Sequence, residues 1–224
     1  MILAISNEMW SEIGVGIWQT LFMTLVSTLI AYVIGIPVGV VLNITSKEGI
    51  KPNKIINSIV GVVVNILRSV PFLILAVFII PFTRLIVGTS IGTTAMLVPL
   101  IVAAAPYIAR MVESSLKEVD SGKIEAAQAM GSSSLNIITK VLLPEAKPSL
   151  IVGAAIASAT ILGYTAMAGF IGGGGLGDIA IRYGYYRYQD EVMLVAVIIL
   201  IIIVQVLQEI GMIVAKKLDN RIRK

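Results

Sequence analysis

Apolar residues in this chain form long stretches with few charges. Five stretches reach the roughly 20 mainly apolar residues that a helix needs to cross a bilayer, and they are residues 14–42, 55–82, 91–109, 150–171 and 192–215. Only two contain a charge, Arg68 in the second and Glu209 near the end of the fifth. The pattern predicts an all-α integral membrane protein with five transmembrane helices over residues 14–215, flanked by tails 1–13 and 216–224.

The composition agrees with a membrane protein. The chain is 57% hydrophobic and 13% charged, whereas a soluble domain carries about 25% charged residues. The first stretch has no basic leader and is longer than the apolar region of a signal peptide, so we expect it to be retained. The whole chain, with 224 residues, is long enough for one domain.

Two residue types are absent from the sequence. Without cysteine or histidine, the chain has no thiol chemistry and lacks the commonest general base and metal ligand. An intramembrane hydrolase of the Ser–His or thiol type is therefore excluded. A Ser–Lys pair inside a span is also excluded, because none of the five predicted spans contains lysine.

Lysine and arginine are distributed unevenly between the segments that join the spans. The segments after spans one and three and the C-terminal tail hold thirteen, namely Lys47, Lys51, Lys54, Arg110, Lys117, Lys123, Lys140, Lys147, Lys216, Lys217, Arg221, Arg223 and Lys224. The N-terminal tail and the segments after spans two and four hold three, namely Arg84, Arg182 and Arg187. Because basic residues accumulate on the cytoplasmic side, we predict that the N-terminus lies outside and the C-terminus inside. This topological charge, without interleaved aromatics, also argues against a nucleic-acid partner.

Residues 110–148 form the one long segment on the predicted cytoplasmic side. Residues 120–122 give a turn and cap signal, and residues 124–130 are good helix formers. Gly131 can adopt the positive φ that ends a helix, and the serines at 132–134 offer a new N-cap. The pattern predicts a short helix that ends at a glycine elbow.

A second short helix is predicted directly after the elbow, over residues 135–143. We expect Pro144 to stop it and Pro148 to occupy the first turn of the fourth span, a position that proline favours. Residues 120–144 would thus form a cytoplasmic two-helix loop.

The residue types in this loop allow two interpretations. Ala126 and Ala127 are small enough for another backbone to approach, and Ile124 and Met130 can enter the groove of a partner protein. Alternatively, the helix pair lies on the lipid surface as an interfacial element. Composition favours neither.

The loop resembles the EAA signature of ABC-importer permeases. Glu125-Ala126-Ala127 is followed after three intervening residues by Gly131, after nine more by Val141, and after one more by Leu143-Pro144. Valine stands where the family usually has isoleucine. The resemblance implies that a cytoplasmic ATPase docks on this loop, through the coupling residues Ile124, Glu125, Ala126, Ala127, Met130, Gly131, Leu143 and Pro144.

Further segments resemble the permeases of this family for amino acids, and for methionine in particular. Residues 63–72 look like the second-span motif of amino-acid permeases, and residues 81–92 and 172–185 look like the methionine-uptake permeases. The resemblance runs from about Gly16 onward. It implies a type I importer fold, two copies of this chain, two copies of the ATPase and an extracytoplasmic methionine-binding protein in the cell membrane. ATP-Mg would be held by the ATPase, with no cofactor on this chain.

Five residues are candidates for the substrate pathway. Arg68 is the one charge deep in a predicted span, and such charges are costly enough to suggest function; Asn65 and Ser69 are close in sequence. Tyr164 and Met167 belong to a polar, small-residue stretch of the fourth span. The alternatives are that Arg68 extends to the headgroups and that the stretch in span four mediates helix packing.

Two glycine patterns have ordinary explanations. Gly172, Gly174 and Gly177 match a dinucleotide-binding pattern, but that site requires a soluble βαβ unit, so a flexible loop on the outer face is expected. Gly35 and Gly39 in the first span predict close helix packing around Pro37. The sequence contains no phosphate-binding loop of the G-x-x-x-x-G-K-[ST] type, so we expect no ATP hydrolysis by the chain itself.

The sequence therefore predicts the permease subunit of an ATP-driven methionine importer. A permease for another small amino acid is the nearest alternative. A carrier or channel that works without ATP is a weaker one, because such proteins place ionisable residues in the membrane to couple ions and this chain offers Arg68 alone. A scaffold subunit of a larger complex is a further alternative.

Overall fold

A computed structural model describes residues 6–218, and every regular element within that range is helical. The ten α-helices are α1 (Asn7–Ile44), α2 (Lys54–Ser69), α3 (Phe72–Phe78), α4 (Ile80–Val87), α5 (Thr93–Lys117), α6 (Ser121–Ala129), α7 (Ser134–Ile137), α8 (Leu143–Ala168), α9 (Gly175–Ile179) and α10 (Asp190–Leu218). Two π-helical turns, Ile138–Leu142 and Ala180–Tyr185, and a 3₁₀ turn, Gly169–Ile171, join some of them. The all-α prediction is confirmed.

Four helical segments are long and apolar enough to cross a bilayer, namely Asn7–Ile44, Thr93–Lys117, Ser134–Ile171 and Asp190–Leu218. A fifth is obtained when the bent pair of α2 and α3 is counted as one span. Large apolar side chains on these helices face outward; Trp18 is 69% exposed and Leu29 67%. Apolar surface of this extent would be unstable in water and suits a lipid environment.

The predicted second span, residues 55–82, is not one continuous helix. The α2 helix ends at Ser69, and α3 begins at Phe72 at an angle of 100° to it. Pro71, with φ −58° and ψ 135°, stands at the break. Proline lacks an N–H and disfavours helical geometry in the residue before it, here Val70, which favours a break at this point.

The first and last helices extend beyond the predicted spans. Helix α1 starts at Asn7, before the span predicted from residue 14, and its Ile13 is buried in the folded core. At the other end α10 continues to Leu218. The predicted tail residues 1–5 and 219–224 lie outside the described residues.

The chain divides into two compact units, of which the first comprises residues 6–30, 70–104 and 157–208. Its apolar core contains Ile13, Leu176, Ile179, Tyr183, Val192 and Val195. The Tyr183 hydroxyl donates a hydrogen bond of 2.9 Å to Glu12 Oε1. This bond, followed by burial, raises the pKa of Tyr183, so the phenol stays protonated and keeps the contact.

The glycine-rich segment is packed into this first unit, which corrects the expectation of a flexible loop. The backbone N–H of Gly175 donates to Gln19 Oε1 at 2.7 Å, and that of Leu176 donates to Thr20 Oγ1 at 2.9 Å. A Cβ on Gly175 would lie 2.8 Å from the same Thr20 hydroxyl. The segment therefore uses glycine to bring its backbone against α1, and the βαβ unit of a nucleotide site is absent from the described residues.

The second unit comprises residues 31–69, 105–156 and 209–218. Within it, Gly35 and Gly39 of α1 face α5, as the sequence pattern predicted. A Cβ on Gly35 would lie 2.6 Å from Ile108 Cγ2, and one on Gly39 would lie 2.6 Å from Val112 Cβ. Only glycine allows the two helices to approach this closely, so the prediction of close packing is confirmed.

Candidate functional site

The first helix of the predicted coupling loop has a well-formed beginning. Asp120 precedes α6, and its Oδ1 accepts a hydrogen bond of 2.7 Å from the Gly122 N–H. A capping side chain of this kind satisfies one of the free backbone N–H groups at the first turn. The predicted turn and cap at residues 120–122 is confirmed.

Gly131 forms the elbow after α6. Its φ is +75°, a value that favours glycine. The Gly131 N–H donates to the Gln128 carbonyl at 2.9 Å, and the Ser132 N–H donates to the Ala127 carbonyl at 3.0 Å. These two bonds define a Schellman motif, which closes the helix and redirects the chain.

The second helix begins where predicted but does not stop where predicted. Ser133 caps α7 by accepting a 3.3 Å bond from the Asn136 N–H. Instead of ending at Pro144, the helical chain passes through the π-turn Ile138–Leu142 into α8. The wider turn lies directly before Pro144, where an ordinary α-turn would press its ring against the carbonyl of residue 140.

Pro148 lies inside α8 rather than at the first turn of a separate span. The loop and the fourth span are thus one helical segment, Ser134–Ile171. A displacement of the loop would reach the membrane through continuous helix, without a flexible connection in between.

The structure separates the predicted coupling residues into outward-facing and inward-facing groups. Glu125, Ala126, Met130, Gly131 and Pro144 are exposed. Met130 is 78% exposed, which is unusual for a large apolar side chain outside a lipid-facing surface. These residues have surface available to a partner protein.

The inward-facing group packs on its own chain. Ala127 is 5% exposed, and Ile124 and Leu143 are half-buried. Ile124 lines a small cleft of 210 Å³ that also includes Gly49 and Leu116. Ala127 and Ile124 therefore pack at least partly on their own chain, and a contact of either residue with the partner stays a prediction.

Leu135 is a further exposed apolar residue of the elbow, which the sequence did not single out as a site residue. It is 68% exposed on α7, close in sequence to the exposed Met130. The feature of the sequence that could have indicated it is an apolar residue outside the predicted spans, directly after the serine caps. Met130 and Leu135 are the two large exposed apolar side chains of the elbow.

An ion pair links α6 to the start of α8. Lys123 Nζ lies 2.6 Å from Glu145 Oε2, with both side chains partly exposed. Such a pair contributes about 0–1 kcal/mol. It fixes the orientation of α6 more than it stabilises the fold.

A polar network joins α5 to α2 in the same unit. Arg110 forms an ion pair of 2.7 Å with Glu113, and Lys117 contacts the other oxygen of that carboxylate at 2.7 Å. The second guanidinium nitrogen of Arg110 donates to the Gly61 carbonyl at 3.1 Å and to Asn65 Oδ1 at 3.0 Å. Asn65 therefore binds Arg110 rather than Arg68.

Beside this network lies an open cleft of 460 Å³. Its lining residues are Arg68, Tyr107, Arg110, Met111, Ser114, Ser115, Glu118, Ser149, Val152, Gly153 and Ile156. The size falls within the range of about 300–1,000 Å³ that is typical of small-molecule sites. Arg110 is already paired with Glu113, whereas Arg68 forms no ion pair with any described residue.

The five pathway candidates are divided between the two units. Asn65, Arg68 and Ser69 belong to the second unit, and the Ser69 hydroxyl donates a 2.8 Å hydrogen bond to the Asn65 carbonyl of its own helix. Tyr164 and Met167 belong to the first unit. There Tyr164 stacks on Phe72 with ring centroids 4.9 Å apart, and Met167 is 47% exposed.

A family model for "binding-protein-dependent transport system inner membrane component" matches residues 35–224 of this chain. The match includes the elbow, the cleft and the glycine-rich segment.

Relatives of similar length are known from several bacteria. A Vibrio cholerae protein, described as a probable D-methionine transport system permease, is 52% identical over 204 residues, 91% of either chain. The methionine import system permease of Bacillus subtilis is 47% identical over 215 residues, 96% of this chain and 95% of its own.

Solved structures show the same fold. A chain of the MetNI methionine ABC transporter, in an inward-facing conformation, superposes with a TM-score of 0.95 at 47% identity, covering 96% of this chain and 100% of that one. An amino-acid ABC transporter at 19% identity, with a TM-score of 0.75, shares the fold. The chain belongs to the family of binding-protein-dependent transport system inner membrane components, the permease subunits of ABC importers.

Proposed function

We propose that this chain is the permease subunit that passes methionine across the cell membrane in an ATP-driven importer. The observation that carries the proposal is the combination of 47–52% identity to methionine permeases over more than nine-tenths of the chain with a TM-score of 0.95 to the MetNI transporter. A permease for another small amino acid is the alternative, and competition between amino acids during uptake distinguishes the two.

A separate cytoplasmic ATPase would dock on the elbow. Glu125, Ala126 and Met130 of α6, together with Leu135 of α7, present an exposed surface of small and apolar side chains. A helix with such a face suits a groove on a partner. ATP-Mg would be bound by that partner, while this chain would hold no cofactor and hydrolyse nothing.

The importer would contain two copies of this chain and two of the ATPase. Each copy provides one elbow, and one elbow serves one ATPase subunit. A closed pair with two-fold symmetry is the commonest arrangement of identical subunits. An extracytoplasmic methionine-binding protein would deliver the substrate to the opposite face.

We expect the N-terminus outside the cell and the C-terminus in the cytoplasm. Reporter fusions after Lys51 and after Gly88, which closes α4, should then report cytoplasmic and external positions respectively. The reason is the excess of basic residues on one set of connecting segments. The opposite pattern of reporter activity would place the elbow outside the cell, where it could not contact a cytoplasmic ATPase.

The function is tested by uptake in cells that lack their own methionine transport. The chain is expressed with its ATPase and binding protein, and labelled L- and D-methionine are offered with or without excess unlabelled amino acids. We expect uptake that depends on the ATPase and is competed by methionine alone. Uptake competed by another amino acid, or uptake that persists without the ATPase, would contradict the proposal.

A further inference from the structure

We infer that the 460 Å³ cleft of the second unit is a binding site for a zwitterionic amino acid within the permease itself. Arg68 would bind the carboxylate, Glu118 the ammonium group, and the apolar wall the side chain. The inference rests on the proposed function, because the cleft would bind the amino acid that the importer transports.

The charges that line the cleft support this assignment. Arg110 forms an ion pair of 2.7 Å with Glu113, a carboxylate that Lys117 also contacts. Arg68 and Glu118 line the same cleft, yet neither forms an ion pair or side-chain hydrogen bond with any described residue, nor with the other. A free cation and a free anion in one cleft are complementary to a molecule that carries both charges.

Hydroxyl groups complete the polar lining. Ser114, Ser115 and Ser149 lie in the cleft, and the last two share a hydrogen bond of 3.0 Å. A serine hydroxyl can both donate and accept, so these groups can bind either end of an amino acid. An arginine, in turn, presents several donors in the plane that a carboxylate requires.

The cleft also has an apolar part. Met111, Val152 and Ile156 contribute side chains to it. Methionine is unbranched and its sulfur is polarisable, so Met111 can adapt to side chains of different shape. This wall suits an uncharged side chain such as a thioether and is unfavourable for a charged one.

A phospholipid headgroup is the competing occupant, because a phosphate would also bind Arg68. The nearby Glu118 carboxylate argues against it, since an anionic headgroup would be repelled there. Arg68 also lines a cleft whose volume suits a small molecule.

The test uses the complete importer, with its ATPase and binding protein, reconstituted in phospholipid vesicles with ATP. A photoactivatable diazirine analogue of methionine is added during turnover, and labelled peptides are identified by mass spectrometry. We expect labelling within residues 149–156. Arg68→Gln and Glu118→Gln should each reduce it about tenfold, the usual loss when one charged hydrogen-bonded contact is removed.

Two further variants control for folding and for general charge effects. Arg68→Lys keeps the cation and should retain part of the labelling. Lys54→Gln removes an exposed lysine from the same helix outside the cleft and should change nothing. Membrane insertion and the amount of co-purified ATPase, measured in every variant, control for folding and assembly.

The outcomes distinguish an amino acid from a phospholipid headgroup as the occupant of the cleft. They also distinguish a failure of this inference from a failure of the proposed function. Labelling that persists in Arg68→Gln and Glu118→Gln, or labelling absent from residues 149–156 while methionine uptake is normal, would overturn the inference and leave the proposed function intact. Loss of co-purified anionic lipid in Arg68→Gln with unchanged labelling would assign the cleft to lipid. A wild-type importer that takes up no methionine would refute the proposed function and this inference with it.

Discussion

Gly131→Val is expected to abolish methionine uptake while leaving the protein inserted in the membrane. Valine at φ +75° would strain the backbone by roughly 1–3 kcal/mol, and relief of that strain requires the elbow to change direction. The exposed surface of α6 and α7 would then no longer match the ATPase. Uptake and co-purification of the ATPase are the measurements, with membrane insertion as the control.

Gly131→Asn is the matched variant for this prediction. Asparagine tolerates the left-handed conformation far better than valine, so it should retain much of the uptake. Ala126→Trp provides an independent check, because it fills the exposed face of α6 without altering the elbow. Normal uptake with both Gly131→Val and Ala126→Trp would show that this loop does not couple the ATPase to transport.

Gly177→Ala is expected to destabilise the first unit severely. The added Cβ would meet the backbone of Ala166, with the Cα 2.5 Å and the carbonyl carbon 2.8 Å away. Backbone atoms held in α8 cannot move aside as a flexible side chain can. Gly169 forms the reciprocal contact, since its Cβ would lie 2.9 Å from the Asp178 Cα. Overpacking of this kind costs about 1–3 kcal/mol or more.

The measurement is the thermal midpoint of unfolding in detergent, together with the amount of protein that accumulates in the membrane. Gly14→Ala is the control, because Gly14 is also helical but has nothing within 4 Å of an added Cβ. There alanine should be neutral or slightly stabilising, given its higher helix propensity. Equal midpoints for the two variants would disprove the backbone contact at Gly177.

The general architecture was predictable because lipid imposes a simple rule. Backbone groups in a bilayer must be paired within the segment, so long apolar stretches become helices. The elbow was predictable for a similar local reason. An Asp120 cap, a glycine at 131 and a serine cap at 133 each act within a few residues, and all three are present in the structure.

Proline gave less reliable predictions, because its effect on a helix depends on the backbone geometry of the neighbouring turns. Pro71 breaks a helix that apolar composition alone had joined. Pro144 and Pro148 were expected to separate two helices, yet the helix continues through both. The π-turn Ile138–Leu142 precedes the first of these prolines, and the sequence carries no local signal for such a turn.

The amino-acid sequence was enough to establish the membrane class, the positions of most helices, the charge asymmetry and the elbow, because each follows from composition or from contacts a few residues apart. The packed fold was needed to show which residues of the elbow face outward, since Ala127 and Met130 differ in burial although both are apolar. It was also needed to show that Asn65 binds Arg110, 45 residues away. Above all, packing brought Arg68 and Glu118 to one cleft, because residues distant in sequence become neighbours only when the helices pack.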